Sequence, residues 1–253
     1  MTTPEESTTS APTHLYLIRH GQAVVNVVPI IGGMKGDTGL TDLGVSQAEL
    51  LRDRLQHSRE IRPDVLIASS LPRARQTAEI IAPAFNLPVV LDDTVQELRP
   101  GPDGDGLSID EYRRRFGWVD FSIDPSRAVD PGGESWVTFM QRVSGALTRI
   151  AAENEGKTIV VVTHGCFIDG SFLHFFGLEL GAVPPAGFAT PNTSITHWER
   201  VRYHARMRWR LARYNDDTHA QAAVGRGVDA IDYTSLTPVE PAAPTETSRR
   251  DPT

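Results

Sequence analysis

The sequence predicts an α/β fold, a three-layer sandwich in which a mostly parallel sheet is flanked by helices. Strand-like and helix-like patterns alternate along most of the chain. Two apolar runs, Leu15–Ile18 and Ile159–Val162, are continuous rather than alternating, which is typical of strands buried on both faces of a parallel sheet. Each run leads into a His-Gly step, at His20–Gly21 and His164–Gly165. Ligands bind beyond the carboxyl ends of such strands, so the two histidines would face each other across one site if the two strands are neighbours.

The first half of the folded region is predicted to hold three strands and two helices. Thr41 can serve as an N-cap, because the residues after it place apolar side chains on one helical face. The segment Ser69–Pro72 predicts a second helix start, with a capping serine and an early proline. The predicted strands are His14–Arg19, Asp64–Ala68 and Leu87–Leu91, and the second helix is expected to run to about Pro83.

The second half begins with a loop rich in glycine and proline, Pro100–Gly106. Ser135 is predicted to cap a long amphipathic helix that carries Val137, Val143 and Ile150 on its apolar face. The other predicted elements are a short helix at Ser108–Phe116, a strand at Lys157–Thr163, a helix at Cys166–Phe176 and an antiparallel closing hairpin of Thr193–His197 and Met207–Leu211.

Composition and charge limit the classes of function. The chain has 253 residues, a net charge of -7 and a pI near 5.6, which argues against a nucleic-acid partner. Its single cysteine, Cys166, excludes an internal disulfide framework and suits a reducing cytoplasm. No apolar run approaches the length of a membrane span, and the polar start does not resemble a secretory signal. We therefore expect a cytoplasmic protein without a membrane partner. A homodimer is compatible with the sequence.

The ends of the chain differ in composition from the middle. Residues 1–13 are rich in Thr, Ser, Pro and Glu, and residues 220–253 show little apolar periodicity. Such segments bury too little apolar surface to offset chain entropy. We therefore predict disordered segments at 1–13 and 220–253, and one folded domain at 14–219.

The predicted strand ends carry an unusual number of cationic donors. Arg19 precedes the first His-Gly step, and Arg73 falls in the first turn of the helix after the second strand. A helix N-terminus and guanidinium groups both favour anions, and arginine can bind phosphate oxygens in bidentate fashion. Together with His20 and His164, these residues predict a phosphate site. Such a cluster would stabilise the charge of phosphoryl transfer.

Phosphoryl transfer through histidine also needs an acid. A neutral histidine can attack phosphorus and form a phosphohistidine, and a carboxylic acid must then protonate the departing oxygen. Glu97 is the best candidate, because it follows a predicted strand end and opens the glycine-rich loop. Asp92 and Asp93 are weaker candidates.

Six short segments resemble signatures of the histidine phosphatase superfamily, in its phosphoglycerate mutase-like branch. The first, Arg19–Asn26, resembles the signature RHGxTxxN, and the others occur in the family's order. They are Leu40–Ala48, Ser69–Ala78, Gly132–Ser135, Val162–Gly165 and Pro191–Thr196. The resemblance covers residues 14–214 and implies a phosphoglycerate mutase-like fold.

The resemblance also implies the roles of individual residues. His20 would be the phosphate-accepting nucleophile and Glu97 the proton donor. The phosphate pocket would be formed by Arg19, Arg73 and His164, with contacts from Asn26 and from the backbone at Gly165. Two departures from the family pattern concern a hydroxyl contact with the phosphate and the choice of substrate, respectively. Ala23 stands where the family usually has threonine, and the segment after Glu97 lacks the common Gly-Trp-Glu-Gly continuation.

We therefore predict a metal-independent phosphatase that acts on a small phosphorylated substrate and uses no cofactor. A phosphoglycerate mutase and a non-catalytic phospho-ligand module are the alternatives. A zinc site at His20 and His164 would lack a third ligand nearby in sequence. Cys166 could be a thiol nucleophile, but cysteine is commonly buried, and we expect it to pack at the start of its helix.

Overall fold

A computed structural model describes residues 11–221, and these form a six-stranded sheet. The strands are β1 (Thr13–Arg19), β2 (Val65–Ala68), β3 (Val89–Leu91), β4 (Thr158–Thr163), β5 (Ile195–Tyr203) and β6 (Arg206–Asp216). Their order in the sheet is β3-β2-β4-β1-β5-β6. The first four strands run parallel to one another, whereas β5 is antiparallel to β1 and β6 is antiparallel to β5. The predicted mostly parallel sheet is confirmed.

Helices cover both faces of this sheet. They are α1 (Val24–Val27), α2 (Asp42–Ser58), α3 (Pro72–Phe85), α4 (Ile109–Phe116), α5 (Trp136–Glu153), α6 (Gly165–Phe175) and α7 (Thr218–Gln221), with a 3₁₀ turn at Asp93–Val95. One core lies between the sheet and α5 and α6, and the other lies between the sheet and α2 and α3. The predicted three-layer sandwich is confirmed.

The strand β4 shows why the apolar runs are continuous. Ile159 and Val161 contribute to the core under α5 and α6, whereas Val160 and Val162 contribute to the core under α2 and α3. All four side chains have no exposed surface. Alternate residues of a strand point to opposite faces, so a strand covered on both faces must be apolar at every position.

Three of the predicted helix starts are confirmed by capping hydrogen bonds. The hydroxyl groups of Thr41, Ser108 and Ser135 accept backbone N–H bonds at 3.1, 3.2 and 3.2 Å from the third residue beyond them. The predicted serine cap of α3 is wrong. Its N-cap is Leu71, and the Ser69 hydroxyl accepts the Leu71 N–H just before the helix begins. This helix also continues through Pro83, past the predicted end.

The closing hairpin is antiparallel as predicted, but its strands are much longer. Arginine dominates the alternate positions of β6, so the apolar run that marks a strand is short. Helix α1 was not predicted, because four residues carry no periodicity. β1 begins at Thr13 and α7 ends at Gln221, so ordered elements extend slightly beyond 14–219 at both ends. The predictions for residues 1–10 and 222–253 lie outside the described residues.

Candidate active site

The two His-Gly steps lie side by side at the carboxyl edge of the sheet. β1 and β4 are neighbours in register, with Arg19 opposite Thr163. The backbone N–H of His20 donates to the Thr163 carbonyl at 3.0 Å. The imidazole rings of His20 and His164 follow directly, with centroids 5.1 Å apart. The predicted meeting of the two steps is therefore a consequence of strand pairing.

His20 is held as a neutral imidazole with one defined tautomer. Its Nδ1 donates to the Gly21 carbonyl at 2.6 Å, which leaves Nε2 unprotonated. Arg73 Nε donates to this Nε2 at 3.2 Å. Burial, followed by the charges of Arg73 and Arg19, holds the pKa of His20 well below its ordinary value. A lone pair at Nε2 is what nucleophilic attack requires.

Arg73 is fixed by a buried carboxylate that the sequence analysis did not identify. Asp37 Oδ2 accepts hydrogen bonds from Arg73 Nη1 at 2.9 Å and from the Arg73 backbone N–H at 3.1 Å. The other oxygen, Oδ1, accepts the Gly39 N–H at 2.9 Å. The Asp37 side chain has no exposed surface, and that of Arg73 is 5% exposed. One carboxylate therefore orients the guanidinium toward His20.

Arg19, Asn26 and Gly165 also lie at this cavity. Arg19 Nη1 donates to the Thr190 carbonyl. Gly165 packs beside the same guanidinium, because a Cβ built there would lie 3.8 Å from Arg19 Nε. Asn26 Oδ1 accepts the Ala23 N–H at 2.9 Å, so this side chain also closes the first turn of α1.

His164 is placed differently from its counterpart. Its side chain has no exposed surface, and it lies behind His20 rather than lining the cavity. Its Nε2 is 2.8 Å from the Ser69 hydroxyl, and its Nδ1 has no hydrogen-bond partner within the described part of the chain. Burial, then the charges of Arg73, His20 and Arg19, lower its pKa well below the ordinary value. The two histidines have similar sequence contexts, but only His20 lines the cavity.

Glu97 lies at the cavity as predicted. Its carboxylate oxygens accept the Leu98 N–H at 2.9 Å and the Cys166 N–H at 3.2 Å, and the latter belongs to the first turn of α6. Asp92, a weaker candidate, instead accepts the Thr94 N–H and pairs with Arg149. Neither Asp92 nor Asp93 lines the cavity. The structure therefore brings Glu97, and not these aspartates, to the site.

A second carboxylate, Asp169, lines the same cavity. It accepts a hydrogen bond from the Thr190 hydroxyl at 3.2 Å. Burial, and secondarily the charge of Glu97, raise its pKa to about 7. Asp169 was not predicted as a site residue, although its position in the sequence carries a signal. Residue 169 is four positions after Gly165 on one helix, and such residues share a face.

The Cys166 thiol does not resemble an activated nucleophile. Burial, then the charges of Glu97 and Asp169, raise its pKa well above the ordinary value. A thiol is nucleophilic only as a thiolate, which is favoured by a low pKa. Cys166 packs partly buried against the core under α6, as expected.

The cavity at this edge has a volume of about 790 Å³. Arg19, His20 and Arg73 form one end, and apolar side chains line much of the rest. Within residues 11–221, no group of three or more His, Cys, Asp or Glu side chains is arranged to hold a metal ion. No helix in that range is long and apolar enough to cross a membrane.

A parallel sheet that brings a neutral histidine and two arginines to one cavity defines an α/β enzyme of phosphoryl transfer. The sequence profile of the histidine phosphatase superfamily (branch 1) matches residues 15–217. The chain belongs to this family, as its six signatures indicated.

Several known proteins are similar to this chain. Phosphoserine phosphatase 1 of Hydrogenobacter thermophilus is 31% identical over 193 residues, covering 74% of this chain and 88% of that protein. A probable phosphoglycerate mutase of Erwinia tasmaniensis is 36% identical over 172 residues, covering 66% and 77%. The structure of phosphoserine phosphatase from Entamoeba histolytica with 3-phosphoglyceric acid superposes with a TM-score of 0.65 and 28% identity, covering 82% and 98%. The fold and the family agree with phosphatase activity.

Proposed function

We propose that the protein hydrolyses phosphomonoesters through a phosphohistidine on His20. The observation that carries this proposal is the hydrogen bond from His20 Nδ1 to the Gly21 carbonyl, which leaves a neutral Nε2 facing Arg73. Names of similar proteins support small phosphorylated substrates, since one relative is a phosphoserine phosphatase and one solved neighbour holds 3-phosphoglyceric acid.

In the first step, His20 Nε2 attacks phosphorus and the bond from phosphorus to the ester oxygen breaks. Arg73 Nε exchanges its contact with Nε2 for one with a phosphate oxygen, and Arg19 binds another. Both guanidinium groups thereby face the oxygens on which charge accumulates. Glu97, entering as the carboxylic acid, transfers its proton to the leaving oxygen, and the alcohol departs.

In the second step, the ionised Glu97 removes a proton from water, whose oxygen attacks phosphorus. The bond from phosphorus to Nε2 breaks, and inorganic phosphate leaves. His20 returns to its neutral form, with Nδ1 still donating to Gly21, and Glu97 is again protonated. No metal ion takes part in this sequence, and each proton has a named donor and acceptor.

Phosphoglycerate mutase activity is the second candidate, since one relative bears that name. A mutase returns the phosphoryl group to the same molecule and must hold it throughout. The glycine- and proline-rich loop beyond Glu97 gives no sign of such closure, which supports hydrolysis. Release of inorganic phosphate from 3-phosphoglycerate, compared with its isomerisation, separates the two activities.

Replacing Glu97 with glutamine is expected to affect poor leaving groups most. Glutamine cannot supply a proton, so kcat/KM for an alkyl phosphate should fall about 10²- to 10⁴-fold. For p-nitrophenyl phosphate, whose leaving group needs little protonation, the fall should be much smaller. Phosphate release from both esters measures this difference. Glu79→Gln, on the exposed side of α3, is the matched control. Equal losses for both esters would refute the assignment of Glu97 as the acid.

Replacing His164 with alanine is expected to slow catalysis without preventing covalent chemistry. The change removes the buried imidazole that packs beside His20, and a small displacement of a reacting group can lower the rate about 10²-fold. Phosphohistidine should still accumulate at His20 when the protein is quenched in alkali. Thermal unfolding of the variant shows whether the fold persists. A folded variant that cannot be phosphorylated would show that the covalent step itself requires His164.

We also propose a cytoplasmic location, a single catalytic domain and a homodimer. The single cysteine and the acidic charge support a cytoplasmic location. The family match at residues 15–217 supports one catalytic domain over most of 14–219. Measurement of the molar mass in solution would show whether the protein is a homodimer.

A further inference from the structure

The cavity has charge at one end only. Among the described residues that line it, the cationic side chains are Arg19 and Arg73, and both lie at the phosphate end with His20. The wall also carries the carboxyl groups of Glu97 and Asp169, which lie near each other, and Asp169 lies near Arg19 at the same end. A second anionic group on a substrate would therefore meet two acids and no further guanidinium or ammonium group.

The remaining wall is apolar and rich in rings. Its principal members are Ile31, Leu98, Tyr112, Trp118, Phe121 and Phe188. They come from separate parts of the chain, on the loop after α1, the segments around α4 and the loop before β5. Sites of a few hundred to about 1,000 Å³ with hydrophobic and aromatic walls typically bury most of the surface of a bulky organic ligand, and the volume of about 790 Å³ lies within this range.

The wall is held in place by contacts outside the cavity. The Ile31 N–H donates to the Leu107 carbonyl at 2.8 Å, and the Ile31 carbonyl accepts the Gly106 N–H at 2.9 Å. The Tyr112 hydroxyl donates to the Val129 carbonyl at 2.8 Å.

The rings of the wall also pack on one another and on the core. Tyr112 meets Trp118 edge-on at 6.1 Å, and Phe188 stacks on Phe172 at 4.3 Å. These contacts within the protein hold the apolar surface in place.

We infer that the substrate is a phosphomonoester of a bulky, uncharged alcohol that carries a ring, and that esters with a second anionic group are disfavoured. This inference rests on the proposed hydrolysis at His20. It separates the chain from its relative named phosphoserine phosphatase, because phosphoserine carries a carboxylate beside its phosphate. In this proposal the two proteins bind the phosphate group in the same way, and the apolar wall of this chain selects the alcohol that leaves.

The first test compares 2-phenylethyl phosphate with ethyl phosphate, whose alcohols are similarly poor leaving groups. Burial of the phenyl ring should raise kcat/KM at least about 30-fold over ethyl phosphate. Trp118→Ala should reduce this ratio about 5-fold or more. Ile123→Ala is the control, since Ile123 lies in the same segment but is 79% exposed and off the cavity. A wild-type ratio below about 3, or an equal loss of ratio in the control, would overturn the inference.

The second test compares 3-phosphoglycerate with glycerol 1-phosphate, which has a hydroxymethyl group in place of the carboxylate. At pH 8, above the pKa of about 7, Asp169 is ionised. The titratable and charged groups that interact electrostatically with Asp169 are Glu97, Arg19, Cys166 and Tyr214. The kcat/KM for glycerol 1-phosphate, which lacks the carboxylate, should be about 10-fold higher than that for 3-phosphoglycerate. Asp169→Asn should reduce this ratio. A preference for 3-phosphoglycerate would contradict the inference.

The outcomes also separate the two levels of the proposal. Hydrolysis of all four esters without these preferences refutes the substrate class and leaves the phosphatase intact. Absence of phosphate release together with absence of phosphorylated His20 refutes the proposed function itself.

Discussion

Replacement of His20 by alanine is expected to lower kcat/KM for any phosphomonoester by about 10⁴-fold or more, because removal of a nucleophile eliminates the covalent route. The remaining arginines could still bind phosphate, so affinity for inorganic phosphate should change far less than turnover. The variant should also lose the phosphohistidine that accumulates in the wild-type protein. His20 contributes no large apolar surface, and we expect the variant to fold.

The measurement pairs steady-state phosphate release with an alkaline quench, since phosphohistidine is labile in acid. His57→Ala is the matched control, because His57 lies exposed in the last turn of α2. It should retain both turnover and the covalent intermediate. Turnover above one tenth of the wild-type value, or an undiminished phosphohistidine signal, would show that another residue is the nucleophile.

The sheet and its site edge could be predicted because each depends on local patterns. The continuous apolar runs at β1 and β4 reflect burial on two faces, and their His-Gly steps mark where the strands end. Pairing of β1 with β4 then brings Arg19 and Thr163 opposite each other. Strand neighbours are not encoded locally, so the repeated pattern predicted one shared site only on the condition that these two strands are neighbours.

Other parts depend on contacts that only the folded chain creates. Asp37 is one acid in a glycine-rich loop, and nothing local indicates that it reaches the start of α3. The apolar wall is assembled from separate segments, so no single stretch shows a cavity. Asp169 could be predicted only in part, because the sequence shows its position one turn beyond Gly165 but does not show its burial. Local sequence therefore predicts the phosphate end better than the leaving-group end.

The resemblance of the two histidines in sequence conceals a difference that the fold imposes. His20 follows β1 and lines the cavity, whereas His164 caps the start of α6 and is fully buried. His20 Nδ1 is occupied by the Gly21 carbonyl, and it is Nε2 of His164 that lies near a partner, the Ser69 hydroxyl. Only His20 thus combines a place on the cavity wall with an unprotonated Nε2, which supports separate roles.

Replacement of Asp37 by asparagine is expected to damage both activity and stability. One oxygen of Asp37 accepts two donors from Arg73, and the other accepts the Gly39 N–H. The asparagine amide has one oxygen and one NH₂ group, so its NH₂ group must face either the two Arg73 donors or the Gly39 N–H. At least one of these N–H groups then loses its acceptor. Breaking a buried ion pair typically costs about 3–5 kcal/mol, because the remaining charge is left uncompensated. We expect a fall of that order in the free energy of unfolding.

The catalytic effect should be separable from this loss of stability. Arg73 donates to His20 Nε2 and faces the phosphate, so a freed guanidinium should lower kcat/KM about 10²- to 10³-fold even in folded protein. Denaturant unfolding identifies the conditions under which Asp37→Asn remains folded, and phosphate release is then measured there. Asp53→Asn is the control, since Asp53 pairs with Arg52 on the surface and such pairs contribute little. If the folded Asp37→Asn protein turned over at the wild-type rate, Arg73 would not depend on this carboxylate for its orientation, and the phosphate end would have to be organised by Arg19 and the backbone alone.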